Sequence, residues 1–287
     1  MAIVTISHQL GSGGGRIAEI VTTRLGYECV SSEILAKAAH EYGLTEERLA
    51  ELGEVKPSLL DRLEAETQTY IAVLENAVLE VALPDDIIVL GRGAQWLLRG
   101  IPHVIRVRIV AAFDERVRRL TDSLVADTGR RHGLTAAHDA IVELVRRDDA
   151  DKRGRMKYLY DRDIDDPELY DVIINATRDE IDLMADTVVV LARDSRFTTT
   201  DESRRCLLNR AVASRVRVAL MMDERTRDAT HSAIEAEAAS VRIASSAPRA
   251  SVAAVAHSVS GVENVRVEPL ADGVVRSLWH LYQQPTP

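Results

Sequence analysis

The glycine-rich stretch from Ser7 to Ile17, SHQLGSGGGRI, contains the residue types that bind phosphate. It follows the short apolar run at residues 2–6 and precedes an amphipathic segment that ends before Gly26. Glycines let a backbone approach a phosphate closely, and a following helix directs free N–H groups and its positive dipole end at the anion. The pattern predicts a phosphate-binding loop, whereas the simpler alternative is a flexible surface turn. The loop residues are Gly11, Ser12, Gly13, Gly14 and Gly15.

This loop departs from the Walker A pattern GxxxxGK[ST], in which Lys reaches the outer phosphates and Ser or Thr binds magnesium. Gly14 and Gly15 stand where the lysine and the hydroxyl residue are expected, and the first cation is Arg16. Arg16 could partly replace the lysine, although a planar guanidinium does not have the geometry of a compact ammonium. We therefore expect phosphate to bind at the loop, while phosphate transfer there stays an open question.

Two further polar residues follow apolar runs that are typical of strands buried on both faces. Arg92 lies between two glycines directly after the run at residues 87–90, and Asn175 ends the run at residues 172–174. Two interpretations of Arg92 fit the sequence equally well. One is a tight turn with a solvated side chain, and the other is a bidentate contact from the guanidinium to a substrate phosphate. Because ligands of parallel α/β sheets bind at the carboxyl ends of the strands, we expect the glycine loop, Arg92 and Asn175 to converge there.

Residues 146–155, RRDDADKRGR, are dense in charges of both signs. A solvated helix face explains this run, with i,i+4 ion pairs joining Asp149 to Arg153 and Asp151 to Arg155. The alternative is a mobile lid whose cations close over a transferring phosphate, because phosphoryl transfer is catalysed mainly by positioning and charge neutralisation. Taken alone, the run favours the solvated face.

The elements that would position these residues alternate between short apolar runs and helical periodicities up to about residue 192. This alternation predicts an α/β fold, a parallel sheet with flanking helices. The longest helical pattern, residues 57–81, predicts a helix with one buried face. Beyond a polar stretch, a helix-strand-strand-helix-strand order predicts a small α+β domain. The expected organisation is a first domain at 1–192, a linker at 193–204, a second domain at 205–270 and a tail at 271–287.

Composition limits the function classes. The net charge of -9 over 287 residues argues against general nucleic-acid binding, which needs a basic surface. The two cysteines, Cys29 and Cys206, have neither metal nor disulfide spacing, which favours a reducing cytoplasmic setting. No run approaches the ~18 apolar residues of a membrane span. The histidines form no spaced ligand set, and only His8, which opens the glycine loop, lies next to a motif.

Together these residues resemble the cytidylate kinase-like family, a branch of the P-loop nucleoside monophosphate kinases. The resemblance covers about the first two thirds of the chain. It implies a P-loop NTPase-type fold. The implied activity is transfer of the γ-phosphoryl group of ATP to CMP, dCMP or a similar small acceptor, with Mg2+ bridging the ATP phosphates. The motifs that carry it are Ile6-Ser7 with residues 11–14, and the stretches at residues 89–94, 107–110, 151–153 and 169–175.

The resemblance also implies roles for individual residues. The glycine loop with Arg16 would bind the ATP phosphates, and Arg16, Lys152, Arg153 and Arg155 would act on the transferring phosphoryl group. The acceptor would contact His8, Arg92 and Asn175.

Three positions depart from the family pattern. Gly14 replaces Lys, Gly93 replaces an Asp at the nucleotide site, and His8 stands where this branch commonly has Arg. Because Gly15 occupies the hydroxyl position, the resemblance gives no protein ligand for the metal. Each departure bears on kinase turnover, so three hypotheses are kept: an active kinase, a nucleotide-binding sensor with weak or no catalysis, and a scaffold in which the loop only turns the chain.

The C-terminal segment, about residues 205–270, resembles a BON domain in its element order and in the stretch at residues 253–267. This resemblance implies a lipid or protein partner, and it gives the sensor hypothesis an output module. The glycine usually found between the paired strands is absent, since Ser245 and Ser246 stand there. The tail carries Trp279 and Tyr282, which could dock on a domain or a partner. The chain could also form a homodimer.

Overall fold

A computed structural model describes the chain in five stretches, which are residues 2–31, 60–128, 134–178, 180–227 and 232–270. The sequence also predicts short helices at residues 33–42 and 45–53, and these segments lie outside the described stretches. The start of the long helix at residue 57 and the tail at 271–287 lie outside them as well. No statement about the structure extends to them.

Strands in the described residues form two sheets. The larger sheet is parallel throughout, in the order β2-β3-β1-β4-β5, and the smaller has the order β6-β7-β8. The predicted α/β fold with a small additional α+β unit is therefore confirmed. The strands are β1 (Ile3–His8), β2 (Glu28–Val30), β3 (Ile87–Leu90), β4 (Val104–Val110), β5 (Val172–Asn175), β6 (Ala233–Glu237), β7 (Ser240–Ser245) and β8 (Asn264–Pro269).

Helices connect these strands, and most begin and end within a few residues of the predicted positions. Among the described residues there is no helix with the length and apolar character that a bilayer crossing requires. The α-helices are α1 (Gly14–Leu25), α2 (Leu60–Ala82), α3 (Ala94–Leu97), α4 (Phe113–Thr128), α5 (Leu134–Tyr160), α6 (Ile181–Ala192), α7 (Asp201–Met222) and α8 (Arg249–His257), with 3₁₀ turns at Pro167–Leu169 and Ser195–Phe197.

The parallel sheet is buried on both faces, as its continuous apolar runs predict. On one face, Ile17 of α1 and Val188 of α6 pack against alternate residues of the central strands. On the other face, α2, α3, the end of α5 and the start of α7 form a second core that includes Leu97 and Tyr160. This double cover fixes the carboxyl ends of β1 and β3, from which the candidate site is built.

Helix α2 differs from the prediction of one buried face. Its residues from Tyr70 to Leu79 are all buried, including the charged Glu75. The reason is α7, which covers the side of α2 that faces away from the sheet, with Val218 against Ala72 and Val73. Glu75 is satisfied there by two arginines of α7, Arg210 at 3.3 Å and Arg217 at 3.0 Å.

Helix α7 begins inside the stretch expected to be a linker. Thr200 and Ser203 cap its start with reciprocal side-chain to backbone hydrogen bonds, which is a capping box. Its first turns place Leu207 and Ala211 in the core shared with α2, and its later turns pack against the small sheet. A division of the chain at residues 193–204 stays a prediction, and any such division leaves the start of α7 in the first core.

The C-terminal sheet pairs β6 with β7 antiparallel and β7 with β8 parallel. Val216 of α7 and Val252 of α8 pack on one face of this sheet, in a core that includes the buried Ile243 of β7. The predicted order of helix, two strands, helix and strand is present. The resemblance of this unit to a BON domain stays a prediction.

Candidate active site

The glycine loop connects the end of β1 to the start of α1, as predicted. Gly11 and Gly13 have φ angles of +77° and +85°, which disfavour any residue with a side chain. A Cβ on Gly11 would lie 2.7 Å from the Arg116 carbonyl oxygen, and one on Gly13 would lie 2.6 Å from Ile181 Cδ1. The loop is thus packed directly against the α4 backbone and the start of α6, and both positions require glycine.

The start of α1 fits an anion. Gly13 is the N-cap and provides no side-chain cap, and the first turn carries no acidic residue. The first-turn N–H groups of a helix have no intrahelical acceptor, so they are available to a phosphate. Ser12, in contrast, is fully buried, and its hydroxyl donates to the Gln9 carbonyl at 2.7 Å. Ser12 therefore braces the loop from within.

Arg119 of α4 holds the outside of this loop, a role that the sequence did not reveal. Its guanidinium donates to the Ser12 carbonyl at 3.1 Å and to the Ala176 carbonyl at 2.7 Å. It thereby joins the glycine loop to the connection that follows β5. The arginines of α4 look like surface residues of a charged helix in the sequence, and no local pattern distinguishes the bracing one.

A cavity of about 290 Å³ lies at the carboxyl ends of β1 and β3, beside the glycine loop. Its wall combines apolar and aromatic side chains from α2 and α5 with three cationic residues. The polar lining residues are Ser7, His8, Ser31, Arg92, Gln95, Lys152 and Arg155, and the larger apolar ones are Tyr70, Leu74, Leu90, Met156, Leu159, Tyr160 and Ile164. A pocket of this kind suits a small ligand that has an anionic end and a flat or apolar end.

Arg92 enters this cavity from an unusual turn. Its φ angle is +57°, and the glycines on either side have φ angles of +75° and +72°, so three consecutive residues are left-handed. A Cβ on Gly93 would lie 2.8 Å from the Tyr160 ring. The buried Tyr160 thus takes the space next to this position, where the family pattern has an Asp.

Lys152 of α5 lies between the cavity and the glycine loop. Its ammonium donates to the His8 main-chain carbonyl at 3.1 Å and forms an ion pair with Asp148 at 2.9 Å. Burial lowers the pKa of His8 below its usual value, and the nearby positive charge of Lys152 lowers it further. The His8 imidazole is therefore neutral at neutral pH, and Lys152 carries the positive charge at this junction.

A buried arginine, Arg108, links β4 to the same region. Only 4% of its surface is exposed, and it donates to the Ser7 hydroxyl at 2.8 Å and to Asp165 at 3.1 Å. Asp165 also accepts from Arg153 at 3.2 Å, so Arg153 is tied to the chain that follows α5. The sequence does contain a signal for Arg108, since Arg106 and Arg108 are the two polar residues of an otherwise apolar strand and a buried arginine requires polar partners.

Of the predicted site residues outside the glycine loop, three do not line the cavity: Arg16, Arg153 and Asn175. Arg16 is 71% exposed on the first turn of α1 and pairs with Glu19 at 3.1 Å. Asn175 lies at the carboxyl end of β5, where its side-chain oxygen accepts from the Thr177 N–H and hydroxyl. The cavity contains four of the predicted residues, His8, Arg92, Lys152 and Arg155. Asn175, which was expected to converge with the glycine loop and Arg92, is instead held in a local turn.

The ion pairs predicted within the charged run of α5 are wrong. Asp149 pairs with Arg116 of α4 at 2.7 Å, and Arg153 pairs with Asp165. Asp151 lies 3.9 Å from Arg147, one turn earlier in the helix. Asp149 is only 18% exposed and pairs with the buried Arg116 of another helix. The i,i+4 pairs that the run does form join Asp148 to Lys152 and Asp151 to Arg147, which are not the predicted partners.

A parallel sheet of this strand order, with a glycine loop between its first strand and first helix, is a P-loop NTPase-type fold. Residues 3–178 match the model of the family described as "Cytidylate kinase-like family". The chain belongs to this family. The matched residues end before α6, and the C-terminal third lies beyond them.

Individual relatives agree with this assignment. The chain is similar to the cytidylate kinase of Archaeoglobus fulgidus, with 30% identity over 176 residues that cover 60% of this chain and 84% of that protein. Similarity to the cytidylate kinase of Methanococcus aeolicus is 26% over 179 residues, covering 61% and 88%. A crystal structure of an uncharacterized protein from Eubacterium ventriosum matches in fold, with a TM-score of 0.50, 15% identity and coverage of 67% and 98%.

Proposed function

We propose that this protein transfers the γ-phosphoryl group of ATP to CMP, dCMP or a similar nucleoside monophosphate. The observation that carries the proposal is the pairing of two adjacent sites. One is a glycine loop with an uncapped helix start, and the other is a separate cavity lined by Arg92, Lys152 and Arg155. A phosphotransferase needs this arrangement, because donor and acceptor phosphates must meet between two binding sites.

In this proposal the glycine loop binds the ATP phosphates through its backbone N–H groups. The acceptor enters the cavity with its phosphate toward Arg92 and Arg155 and with its base against the apolar wall, which includes Met156. Lys152, at the junction, neutralises charge on the transferring group. Catalysis then consists of positioning and charge stabilisation, which is the main protein contribution to phosphoryl transfer. Arg153, Arg16 and Asn175 stay predicted contributors, and the exposed position of Arg16 gives it weaker support than Lys152 has.

Magnesium would neutralise the β and γ phosphates of ATP when bound. The described residues contain no group of three or more His, Cys, Asp or Glu side chains that could hold a metal ion. The buried Ser12 hydroxyl is engaged with the Gln9 carbonyl, and Gly15 offers no hydroxyl. Magnesium commonly keeps several waters and binds through substrate phosphates, so we expect it to arrive with the nucleotide.

A nucleotide-binding sensor is the second candidate function. Gly14 and Gly15 occupy the Walker A positions of the lysine and the magnesium-binding hydroxyl residue. The absence of these two side chains favours a sensor over an active kinase. In this version nucleotide occupies the same sites without turnover, and the BON-like C-terminal unit, with a lipid or protein partner, provides the output. Helix α7 belongs to both cores and supplies the physical connection.

The test is a kinase assay with a panel of nucleoside monophosphates, ATP and Mg2+, combined with calorimetry of each nucleotide. We expect ADP release with CMP or dCMP. The Arg155→Ala variant should raise the KM for the acceptor about 10-fold or more, which corresponds to the loss of one charge-assisted hydrogen bond. Arg147→Ala is the matched control, because Arg147 is an exposed arginine on the same helix outside the cavity.

Other outcomes select the alternatives. ATP binding without turnover of any monophosphate would favour the sensor. If calorimetry detects no nucleotide at all, the loop only turns the chain.

A further inference from the structure

We propose that Lys152 replaces the lysine that the glycine loop lacks, so that the outer phosphates of ATP are bound by an ammonium group supplied from α5. This inference rests on the proposed use of ATP. In this inference the Lys152 ammonium binds the β and γ phosphates of ATP directly, which is more specific than adding positive charge to the cavity.

The chemical type of residue 152 is the first observation. The chain has only four lysines, at positions 37, 56, 152 and 157, among its 36 lysine and arginine residues. Arginine is thus the ordinary cation of this protein, and its surface and core ion pairs use arginine almost throughout. An ammonium differs from a guanidinium in being a compact point charge with three rotatable donors. One of the few lysines lies at the glycine loop, where a Walker A loop also uses lysine.

The position of the ammonium is the second observation. When the pattern GxxxxGK is aligned on Gly13, its first glycine falls on His8 and its lysine falls on Gly14. The Lys152 ammonium donates to the main-chain carbonyl of His8, at 3.1 Å. It therefore contacts the first residue of the aligned loop. Asp148, one turn earlier on α5, holds it there.

The third observation explains why the loop itself carries no lysine. A Cβ on Gly14 would lie 2.3 Å from His8 Cβ and 2.6 Å from His8 Cγ, distances that real side chains do not reach. The side chain at residue 8 thus excludes any side chain at residue 14. The two departures from the Walker A pattern, His8 for glycine and Gly14 for lysine, are one coupled change in packing. With residue 14 closed to a side chain, a cation must come from another element.

Arg16, the nearest cation in the sequence, does not take this place. Its side chain is 71% exposed and pairs with Glu19 on the outer side of α1. Lys152 is 31% exposed and lines the cavity next to the loop. Of these two cations, only Lys152 lies at the junction where the donor and acceptor phosphates would meet.

The test compares Lys152→Met with Lys157→Met by calorimetry, using a non-hydrolysable ATP analogue with Mg2+. Methionine keeps the length of the side chain and removes the charge, and Lys157 is an exposed lysine on the same helix. We expect Lys152→Met to bind the analogue about 10- to 100-fold more weakly, the range for losing a hydrogen bond to a charged group. We expect Lys157→Met to bind the analogue as the wild type does, because its side chain is exposed and lies outside the cavity.

A rescue experiment separates this role from general electrostatics. His8→Gly combined with Gly14→Lys rebuilds GxxxxGK at residues 8–14, and the small residue at position 8 removes the clash. Introduced into Lys152→Met, this pair should restore most of the lost affinity for the analogue. Gly14→Lys alone should lower the melting temperature, because His8 still occupies the space.

The outcomes distinguish the inference from the function on which it rests. If the wild type binds the analogue and Lys152→Met binds it equally well, Lys152 does not replace the loop lysine, although the kinase proposal stands. If the rescue variant is folded by circular dichroism and its affinity stays low, the two lysines do not serve one site, and the inference is overturned. Failure of the wild type to bind any nucleotide would remove the proposed function and this inference together.

Discussion

Substitution of Gly93 tests the turn that presents Arg92 to the cavity. Gly93 has a φ angle of +72°, and its Cα faces the buried ring of Tyr160. Alanine adds a single methyl group, which would lie 2.8 Å from one ring carbon and 3.3 Å from the next. Tyr160 is 2% exposed and packs within the core between α2, α3 and the sheet, so its ring can move away from residue 93 only toward the cavity that it also lines.

Two costs add in the Gly93→Ala variant. A left-handed backbone costs a residue with a Cβ about 1–2 kcal/mol. Forcing an extra carbon into a packed core costs a further ~1–3 kcal/mol. We therefore expect the free energy of unfolding to fall by about 2–5 kcal/mol in a urea titration. Gly154→Ala is the matched control, because its added methyl meets nothing within 4 Å in the middle of α5 and should raise stability by about 0.5–1 kcal/mol.

A double-mutant cycle assigns the two costs to their causes. In the Tyr160→Ala background the clash is absent, so the penalty of Gly93→Ala should shrink to the backbone cost of about 1–2 kcal/mol. A Gly93→Ala variant within ~0.5 kcal/mol of the wild type would refute the steric argument. An unchanged penalty in the Tyr160→Ala background would show that the ring is not the obstacle and that Tyr160 does not exclude a side chain at residue 93.

Three further predictions concern other parts of the molecule. Because the pKa of His8 is lowered from 6.5 in the folded protein, the unfolded state binds more protons below that pH. The free energy of unfolding, measured in urea titrations at pH 7.5 and pH 5.5, should therefore be lower at pH 5.5. The His8→Asn variant keeps Lys152, Asp148 and Arg108 around the site and should show a smaller difference between the two pH values. Arg92→Gly relieves a left-handed arginine and should raise stability by up to ~1 kcal/mol while weakening CMP binding in calorimetry, and equal CMP affinity would contradict the role of Arg92. A chain ending at residue 200 loses Leu207 and Ala211 from the core with α2, so it should melt at a lower temperature and bind a hydrophobic dye, whereas a truncation that melts like the full chain would support a division at residues 193–204.

The fold could be predicted because the burial of a strand in this sheet is recorded in its own residues. The run Ile87–Leu90 is apolar at every position, and it is buried on both faces. The glycine loop was also predictable, since its run of glycines permits the left-handed φ angles that Gly11 and Gly13 adopt. In both cases the property depends on a few adjacent residues, so the local sequence contains it.

The partners of charged residues could not be predicted, because they come from distant parts of the chain. Glu75 lies outside the predicted apolar face of α2, yet it is buried against two arginines of α7, Arg210 and Arg217. Asp149 has an arginine four residues later, but its partner is Arg116 of another helix. Periodicity gives the face on which a residue lies, and only the tertiary structure decides what covers that face.

Helix α7 is a second case in which distant parts of the chain determine the contacts, and here the contacts reach the candidate site. Arg210 of α7 donates to the Leu97 carbonyl at 2.6 Å, at the end of α3, the short helix that begins directly after the Arg92 turn. The later turns of α7, including Val216, support the C-terminal sheet. One continuous helix thus contacts both the element that follows Arg92 and the unit that lies beyond the matched family region. The kinase and sensor hypotheses therefore share one physical framework, and they differ in whether phosphate is transferred at the junction occupied by Lys152.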